Sequence, residues 1–162
     1  MRIIAGRFRG RALASVGKGD KAGHLRPTTD RVRESLFSML AGGRFGDPLT
    51  GARVLDLFAG TGALGLEALS RGAGFACFVD EGRVAARLIR ENVAKCGVER
   101  DTNLIQRDAT RLGANPDAAY ALVFCDPPYG KALGEAALVV IVPGRLFRVH
   151  RRILNLRLAF GP

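Results

Sequence analysis

The chain of 162 residues predicts an α/β fold of the Rossmann-like kind, a mostly parallel sheet with flanking helices. Three observations carry that expectation. From residue 51 onward, short apolar runs alternate with helical patterns, as in a sheet built by crossovers. The first run, Arg53-Val-Leu-Asp-Leu-Phe58, enters the glycine turn Ala59-Gly-Thr-Gly-Ala-Leu-Gly65. Acids then stand at or near the ends of successive runs: Asp56, Asp80, Asp108 and Asp126. In open α/β sheets ligands bind beyond the carboxyl ends of the strands, so these four acids are expected on one ligand-facing edge.

Residues 1–14 alternate apolar and basic positions around Gly6 and Gly10, which reads as a short twisted hairpin. Residues 15–23 read as a loop, rich in Gly and Lys. A helix is expected from Asp30 as N-cap, just after Pro27. Its apolar face is Val32, Leu36, Phe37 and Leu40, and Gly42-Gly43 ends it. Arg31 and Arg33 are expected on its wet side, with Arg26 before the first turn. Strands are expected at 52–57, 74–79, 103–106 and 120–125. Helices are expected at about 62–71 and 82–95, with Val84, Leu88 and Ile89 inward and Gly72 and Gly97 as C-caps. Residues 108–119 make a shorter connection.

The C-terminal stretch reads in two ways. After Glu135 no acid occurs, while Arg145, Arg148, Arg151, Arg152 and Arg157 do. Leu146, Val149, Ile153, Leu156 and Phe160 recur at helical spacing, as in a basic amphipathic helix. A shifted reading frame or a truncated gene explains the stretch equally well. Missing closing strands would leave an exposed sheet edge.

Composition narrows the function classes. A hydrophobic content of 48% excludes a disordered chain. The longest strongly apolar stretch, Ala136–Val142, is too short to span a bilayer, and the basic start shows no signal peptide, so no membrane role and a cytoplasmic location are expected. Cys77, Cys96 and Cys125 form no C-x-x-C pair and read as buried, reduced thiols. His24 and His150 have no ligand cluster nearby, and no metal site is expected. The formal charge of +10 is uneven. Residues 1–50 hold ten Lys/Arg against four Asp/Glu, residues 51–129 nine against ten, and residues 130–162 six against one. Basic ends around a near-neutral centre suit a catalytic core flanked by polyanion-binding surface.

Asp126-Pro127-Pro128-Tyr129 follows the apolar run 120–124. The prolines lack N–H groups and fix φ, so carbonyls in this turn are free to point at a ligand. Asp126 accepts hydrogen bonds and Tyr129 offers a stacking face. An exocyclic NH₂ on a nucleobase has the matching donors and π face. Gly60, Gly62 and Gly65 have the G-x-G-x-x-G spacing of a turn that brings backbone close to a ligand at a helix N-terminus.

Asp-Leu-Phe-Ala-Gly-Thr-Gly, then Asp80, Asp108 and Asp-Pro-Pro-Tyr, together resemble a class I S-adenosylmethionine-dependent methyltransferase of the amino-methylating kind. Arg2-Ile-Ile-Ala-Gly-Arg-Phe-Arg-Gly-Arg11 and Leu25-Arg-Pro-Thr-Thr-Asp-Arg-Val-Arg-Glu-Ser-Leu-Phe-Ser-Met-Leu40 resemble the bacterial 16S ribosomal RNA guanine-N2 methyltransferases. The resemblance covers about residues 1–135; the remainder departs from it, and altered or incomplete C-terminal strands are expected.

The resemblance implies one methyltransferase domain over 1–162. Residues 1–50 would be a basic RNA-binding extension, 51–130 the cofactor-binding and catalytic core, and 131–162 an atypical basic segment. It implies S-adenosyl-L-methionine as cofactor and 16S ribosomal RNA, or a small-subunit assembly particle, as partner of a monomeric enzyme. Asp56, Phe58, Gly60, Thr61, Gly62, Asp80, Asp108 and Ala109 would bind the cofactor. Asp80 would take the ribose hydroxyls and Asp108 the adenine amino group, with Ala109 packed near the ring. Asp126, Pro127, Pro128 and Tyr129 would be catalytic. Arg7, Arg9, Arg11, Arg26, Arg31 and Arg33 would bind RNA. Competing readings are a DNA adenine-N6 methyltransferase, a glutamine methyltransferase, a nicotinamide dinucleotide oxidoreductase, and a catalytically impaired RNA-binding remnant.

Overall fold

The structure, a computed structural model, describes residues 1–16, 29–43, 46–112, 115, 117–127 and 153–155. Its helices are α1 (Asp30–Ala41), α2 (Ala63–Ser70) and α3 (Arg83–Cys96). Its strands are β1 (Arg53–Leu57), β2 (Phe75–Val79), β3 (Thr102–Ile105), β4 (Leu122–Cys125) and β5 (Ile153–Asn155). They form one sheet in the order β3-β2-β1-β4-β5, with every pair parallel. The chain moves outward from β1 to β2 and β3, then crosses to the other side of β1 for β4. The reversal makes a topological switch point between β1 and β4, where open α/β sheets hold their ligands. The expected strands all form, each within two residues of its expected ends.

Alternation along each strand divides the core. Val54, Ala76, Phe78, Leu122 and Phe124 face a cluster that contains α1, α2 and the inner side of α3. Leu55, Leu57, Cys77, Val79, Val123 and Cys125 face the opposite side with Ala109, Leu112 and Tyr120. All three cysteines are free thiols and buried. Burial pushes the Cys125 thiol up to about 12, with the charges of Asp126 and Asp56 adding to the shift.

α2 is buried on all eight of its residues. A helix with no wet face must be covered on every side, and the N-terminal arm helps to do this. Antiparallel bonds join Ile3 N to Arg11 O (3.0 Å), Gly10 N to Ile3 O (2.9 Å) and Leu13 N to Met1 O (3.1 Å), so the expected hairpin is present. Gly6 and Gly10 both take left-handed φ at its tip. Buried Glu67 accepts the amides of Ile4 (2.8 Å) and Ala5 (3.1 Å), and Ser70 Oγ accepts that of Phe8 (3.0 Å). At Gly6 an added Cβ would lie 1.8 Å from the Ser70 carbonyl oxygen, so no side chain fits between arm and helix.

Three expectations need correction. Thr29, not Asp30, caps α1: its Oγ1 accepts from Val32 N at 3.3 Å. Asp30 is the first helical residue and pairs with Arg33 at 2.8 Å. Arg33 does not share the wet side with exposed Arg31; it is fully buried. Position 33 precedes Leu36, Phe37 and Leu40 by three, four and seven residues, which puts it on their face. There its Nη2 donates to Arg2 O at 2.6 Å and clamps the arm to α1. Lastly, Ile153–Asn155 is a strand parallel to β4 rather than part of a helix. The other residues of that helical pattern, like 17–23 of the expected loop, lie outside the described residues.

Candidate functional site at the carboxyl edge of the sheet

β1 ends at Leu57, level with Val79 of β2 and Cys125 of β4. The chain's next residue, Phe58, has φ of 56°, the one non-glycine residue with positive φ among those described. A left-handed non-glycine residue costs about 1–2 kcal/mol and must be held in place by its surroundings. The strain sits at the switch point, between the end of β1 and the glycine turn.

The turn itself is held by side chains from three elements. Asp80, just after β2, accepts Gly60 N on Oδ2 (2.9 Å) and Gly82 N on Oδ1 (2.8 Å). Asp56 of β1, buried beneath the turn, accepts Gly65 N on Oδ2 (3.0 Å). Asn92 of α3 donates to Thr61 O (2.9 Å). Gly60 and Gly62 have φ of 57° and 76°, conformations that glycine adopts without steric cost. Gly65 answers a different need: a Cβ there would lie 2.4 Å from Cε1 of Phe78, so α2 could not pack this close to β2.

Asp56 is held well above the ordinary carboxylate range. Burial is the main cause, and the negative charges of Asp126 and Asp80 reinforce it against the Gly65 hydrogen bond. Asp80 and Asp126 are thus both near enough for their charges to act on Asp56. Asp126 is half-buried and Pro127 buried, directly after β4 and across the switch point from Phe58. Pro128 and Tyr129 lie outside the described residues.

Asp108 stands at the end of β3's connection and caps a short 3-10 turn, Ala109–Arg111. Its Oδ1 accepts from Thr110 N and Thr110 Oγ1, both at 2.8 Å. These bonds hold its pKa below the ordinary value. Ala109 beside it is buried.

Of the expected cofactor residues, the structure therefore brings Asp56, Phe58, Gly60, Thr61, Gly62 and Asp80 together, with Asp108 and Ala109 farther along the same edge. A carboxylate offers about four acceptor positions, and each oxygen of Asp80 uses one on an amide. The half-exposed carboxylate keeps acceptor capacity for a diol at the rim. A neutral turn of small residues flanked by two partly exposed carboxylates fits the methionine, ribose and adenine parts of S-adenosylmethionine.

The arginines divide differently. Arg7, Arg9 and Arg11 are exposed on the arm, and the guanidinium groups of Arg7 and Arg11 lie 4.5 and 5.3 Å from the centre of the Phe8 ring. Arg11 also donates to Lys95 O at the last turn of α3. Arg31 is exposed, Arg33 is buried, and Arg26 lies outside the described residues. Sequence reasoning missed Glu67, Ser70 and Asn92. Their one signal was polarity at positions where the helical pattern predicts burial.

A model of the family described as conserved hypothetical protein 95 matches residues 1–151. Ribosomal RNA small subunit methyltransferase D of Escherichia coli (strain K12) is 41% identical over 140 residues, which cover 85% of this chain and 65% of that protein. The protein of the same name from Haemophilus influenzae is 34% identical over 145 residues, covering 87% and 70%. The solved structure of yhhF from Escherichia coli superposes with a TM-score of 0.76 at 32% identity, covering 96% of this chain and 78% of that one. The chain thus spans 65% to 78% of these relatives' length.

Proposed function

The chain belongs to the family described as conserved hypothetical protein 95, and with its Rossmann-like methyltransferase fold as second premise we propose that it methylates the exocyclic N2 amino group of a guanine in 16S ribosomal RNA, using S-adenosylmethionine. The observation that carries this reading is the placement of Asp126-Pro127 at the switch point, beside the strained Phe58 and the glycine turn. The names of the relatives supply ribosomal RNA as the substrate class. Guanine N2 rests on the chemistry of the Asp-Pro-Pro-Tyr turn and on the resemblance of the first forty residues.

S-adenosylmethionine supplies a methyl group activated on a sulfonium, and the protein's work is to bind, orient and exclude water. The Gly60–Gly62 turn would lie under the methionine and ribose, Asp80 would accept from the ribose hydroxyls, and Asp108 would accept from the adenine amino group. Asp56 acts through the turn, by fixing Gly65. Asp126 and the Pro127 carbonyl accept the two hydrogens of the target NH₂. That orients the nitrogen lone pair and stabilises the positive charge that develops on it. Asp126 then accepts the proton. By sequence Tyr129 would be the ring that stacks on the base, which leaves its helix or comes from a loop.

Arg7, Arg9, Arg11 and Arg31 neutralise phosphates of the RNA or of a small-subunit assembly particle. Arg26 belongs with them by sequence. Arg33 is withdrawn from this set because it is buried. In the same reading residues 1–50 are the RNA-binding extension, 51–130 the catalytic core and 131–162 an atypical basic segment of one monomeric, cytoplasmic enzyme. No helix among the described residues is long and apolar enough to cross a membrane.

Tritium transfer from labelled S-adenosylmethionine to RNA, DNA or protein fractions tests the reading. Label in RNA supports it; label in DNA favours the adenine-N6 alternative. Binding of S-adenosylhomocysteine without turnover favours the impaired remnant. Asp126→Ala is expected to lower the methylation rate about 100-fold or more with folding intact. Near-normal transfer by that variant would refute the site.

A further inference from the structure

We propose that Asn92, on the buried side of α3, positions the turn that holds S-adenosylmethionine, and that the N-terminal arm fixes Asn92 in the orientation this requires. The inference rests on the functional reading above.

Asn92 is fully buried, and its amide is committed on both ends. Its Oδ1 accepts from Ala14 N at 2.6 Å, and its Nδ2 donates to Ala14 O at 3.1 Å and to Thr61 O at 2.9 Å. The amide has two N–H donors, and both are used. The three partners also settle which end is nitrogen. Two are carbonyls, which only accept, and the third is an N–H, which only donates. Ala14 therefore pairs with Asn92 as it would with a neighbouring strand, and that pairing aims the second Nδ2 hydrogen at Thr61.

Thr61 is flanked by Gly60 and Gly62, both at left-handed φ. Glycines restrain a backbone weakly, so the turn's shape depends on outside contacts. Asp80 fixes its first amide and Asn92 its central carbonyl. The arm touches the same residue again: Thr61 Oγ1 lies 3.7 Å from the Met1 sulfur. α3 also backs the turn directly, since a Cβ on Gly62 would lie 3.4 Å from Ile89 Cγ1. The arm and the cofactor turn, more than forty residues apart in sequence, thus share one side chain.

A plainer role would be to satisfy the buried polar groups of the arm and nothing more. The two roles separate by which parameter moves. The test uses the full chain and its Asn92→Ala, Asn92→Asp and Ala14→Pro variants. Calorimetry gives the Kd for S-adenosylhomocysteine, steady-state methylation gives kcat and the KM for S-adenosylmethionine, and thermal melts give Tm. Asn92→Ala is expected to raise Kd and KM about tenfold with kcat within about twofold, as when one well-placed hydrogen bond to a binding loop is removed. Asn92→Asp keeps the acceptor for Ala14 N and loses the donors, so it is expected to match Asn92→Ala. Ala14→Pro removes the arm amide, while also fixing φ there, and is expected to give about a threefold rise.

A lower Tm with Kd and KM within about twofold of wild type would overturn the proposal. If Asn92→Ala fails to fold, Asn92→Asp decides by the same criterion. Wild-type affinity in Ala14→Pro would overturn the arm's part. Failure of the wild type to bind S-adenosylhomocysteine would sink the functional reading and this inference with it. Tight wild-type binding alongside equal binding by Asn92→Asp sinks the inference alone.

Discussion

The N-terminal arm, residues 1–14, and the glycine turn, residues 58–65, solve similar problems by opposite means. Both are irregular segments with left-handed glycines, and both are tied down by side-chain acceptors reaching in from neighbouring elements. In the arm the acceptors are Glu67 and Ser70, and they take the amides of Ile4, Ala5 and Phe8. In the turn they are Asp80 and Asp56, and they take those of Gly60 and Gly65. The difference lies in what is left facing solvent. The arm presents arginines, whereas the turn presents small uncharged residues beside carboxylates. One surface suits a polyanion and the other a compact ligand with its own hydrogen-bond donors. The lesson is that a loop's chemistry can be set by what points outward while its shape is set by what is buried beneath it.

Glu67→Leu should break the arm's side of the comparison most severely. It strands two amides and Arg71 Nε, which Glu67 Oε1 holds at 2.7 Å. Removing one partner of such a buried set is expected to cost about 3–5 kcal/mol, read by urea unfolding. A cost below about 1 kcal/mol would show that packing alone holds the arm. Next come the two tip glycines, which share a left-handed φ but not their surroundings. Gly6→Ala meets both a left-handed φ and the Ser70 carbonyl and should cost about 3 kcal/mol, while Gly10→Ala meets open space and should cost about 1 kcal/mol. Equal losses would mean that packing against α2 is irrelevant.

On the turn's side, Gly65→Ala forces a methyl against the buried Phe78 ring, with an expected loss of about 2 kcal/mol. Weaker binding of S-adenosylhomocysteine should accompany it, because α2 must shift. Exposed charges give smaller effects. Alanine at Arg7 or at Arg9 should weaken RNA binding at low salt and reduce the log–log salt slope by about 1 for each phosphate left without its arginine. An unchanged slope would take the arm out of the RNA interface.

The smallest effect expected is on pH dependence. Folding raises the Asp56 pKa well above its ordinary 3.8, so its contribution to stability is complete below that value and is lost as pH rises through the folded-state pKa. Asp56→Asn keeps an acceptor for Gly65 N and removes that loss. Its stability relative to wild type should therefore improve as pH rises. Asp108 runs the other way. Its pKa is lowered by Thr110, so its contribution is present above 3.8 and disappears as pH falls through the folded-state pKa. Denaturant melts across pH on Asp56→Asn and Asp108→Asn separate the two.

Much of the scaffold was legible in the sequence for local reasons. β2 and β4 are continuous apolar runs because both their faces are buried, and β1 departs from this only at Arg53 and Asp56. The glycine turn is written in residues next to one another. What stayed hidden is non-local. Glu67 and Asn92 lie in helical patterns, and their partners on the arm are more than sixty residues away. Arg33 misled because its charge implied exposure, although its register with Leu36, Phe37 and Leu40 implied the core. At 153–155 three residues contribute to the sheet, too few to show a period of two. The rim acids were placed correctly, but their present partners were not foreseen: Asp80 and Asp108 already bind backbone amides, which neither position nor spacing announces.

One consequence of the arm's seat on α2 concerns engineering. Every residue of that helix is covered, and the arm supplies bonding partners to Glu67 and Ser70 on it. Trimming the first dozen residues would strip buried Glu67 and Ser70 of their partners as well as remove positive charge. A shortened version should come out of cells in inclusion bodies, and a graft of the arm onto another scaffold would need the glutamate, serine and asparagine that grip it.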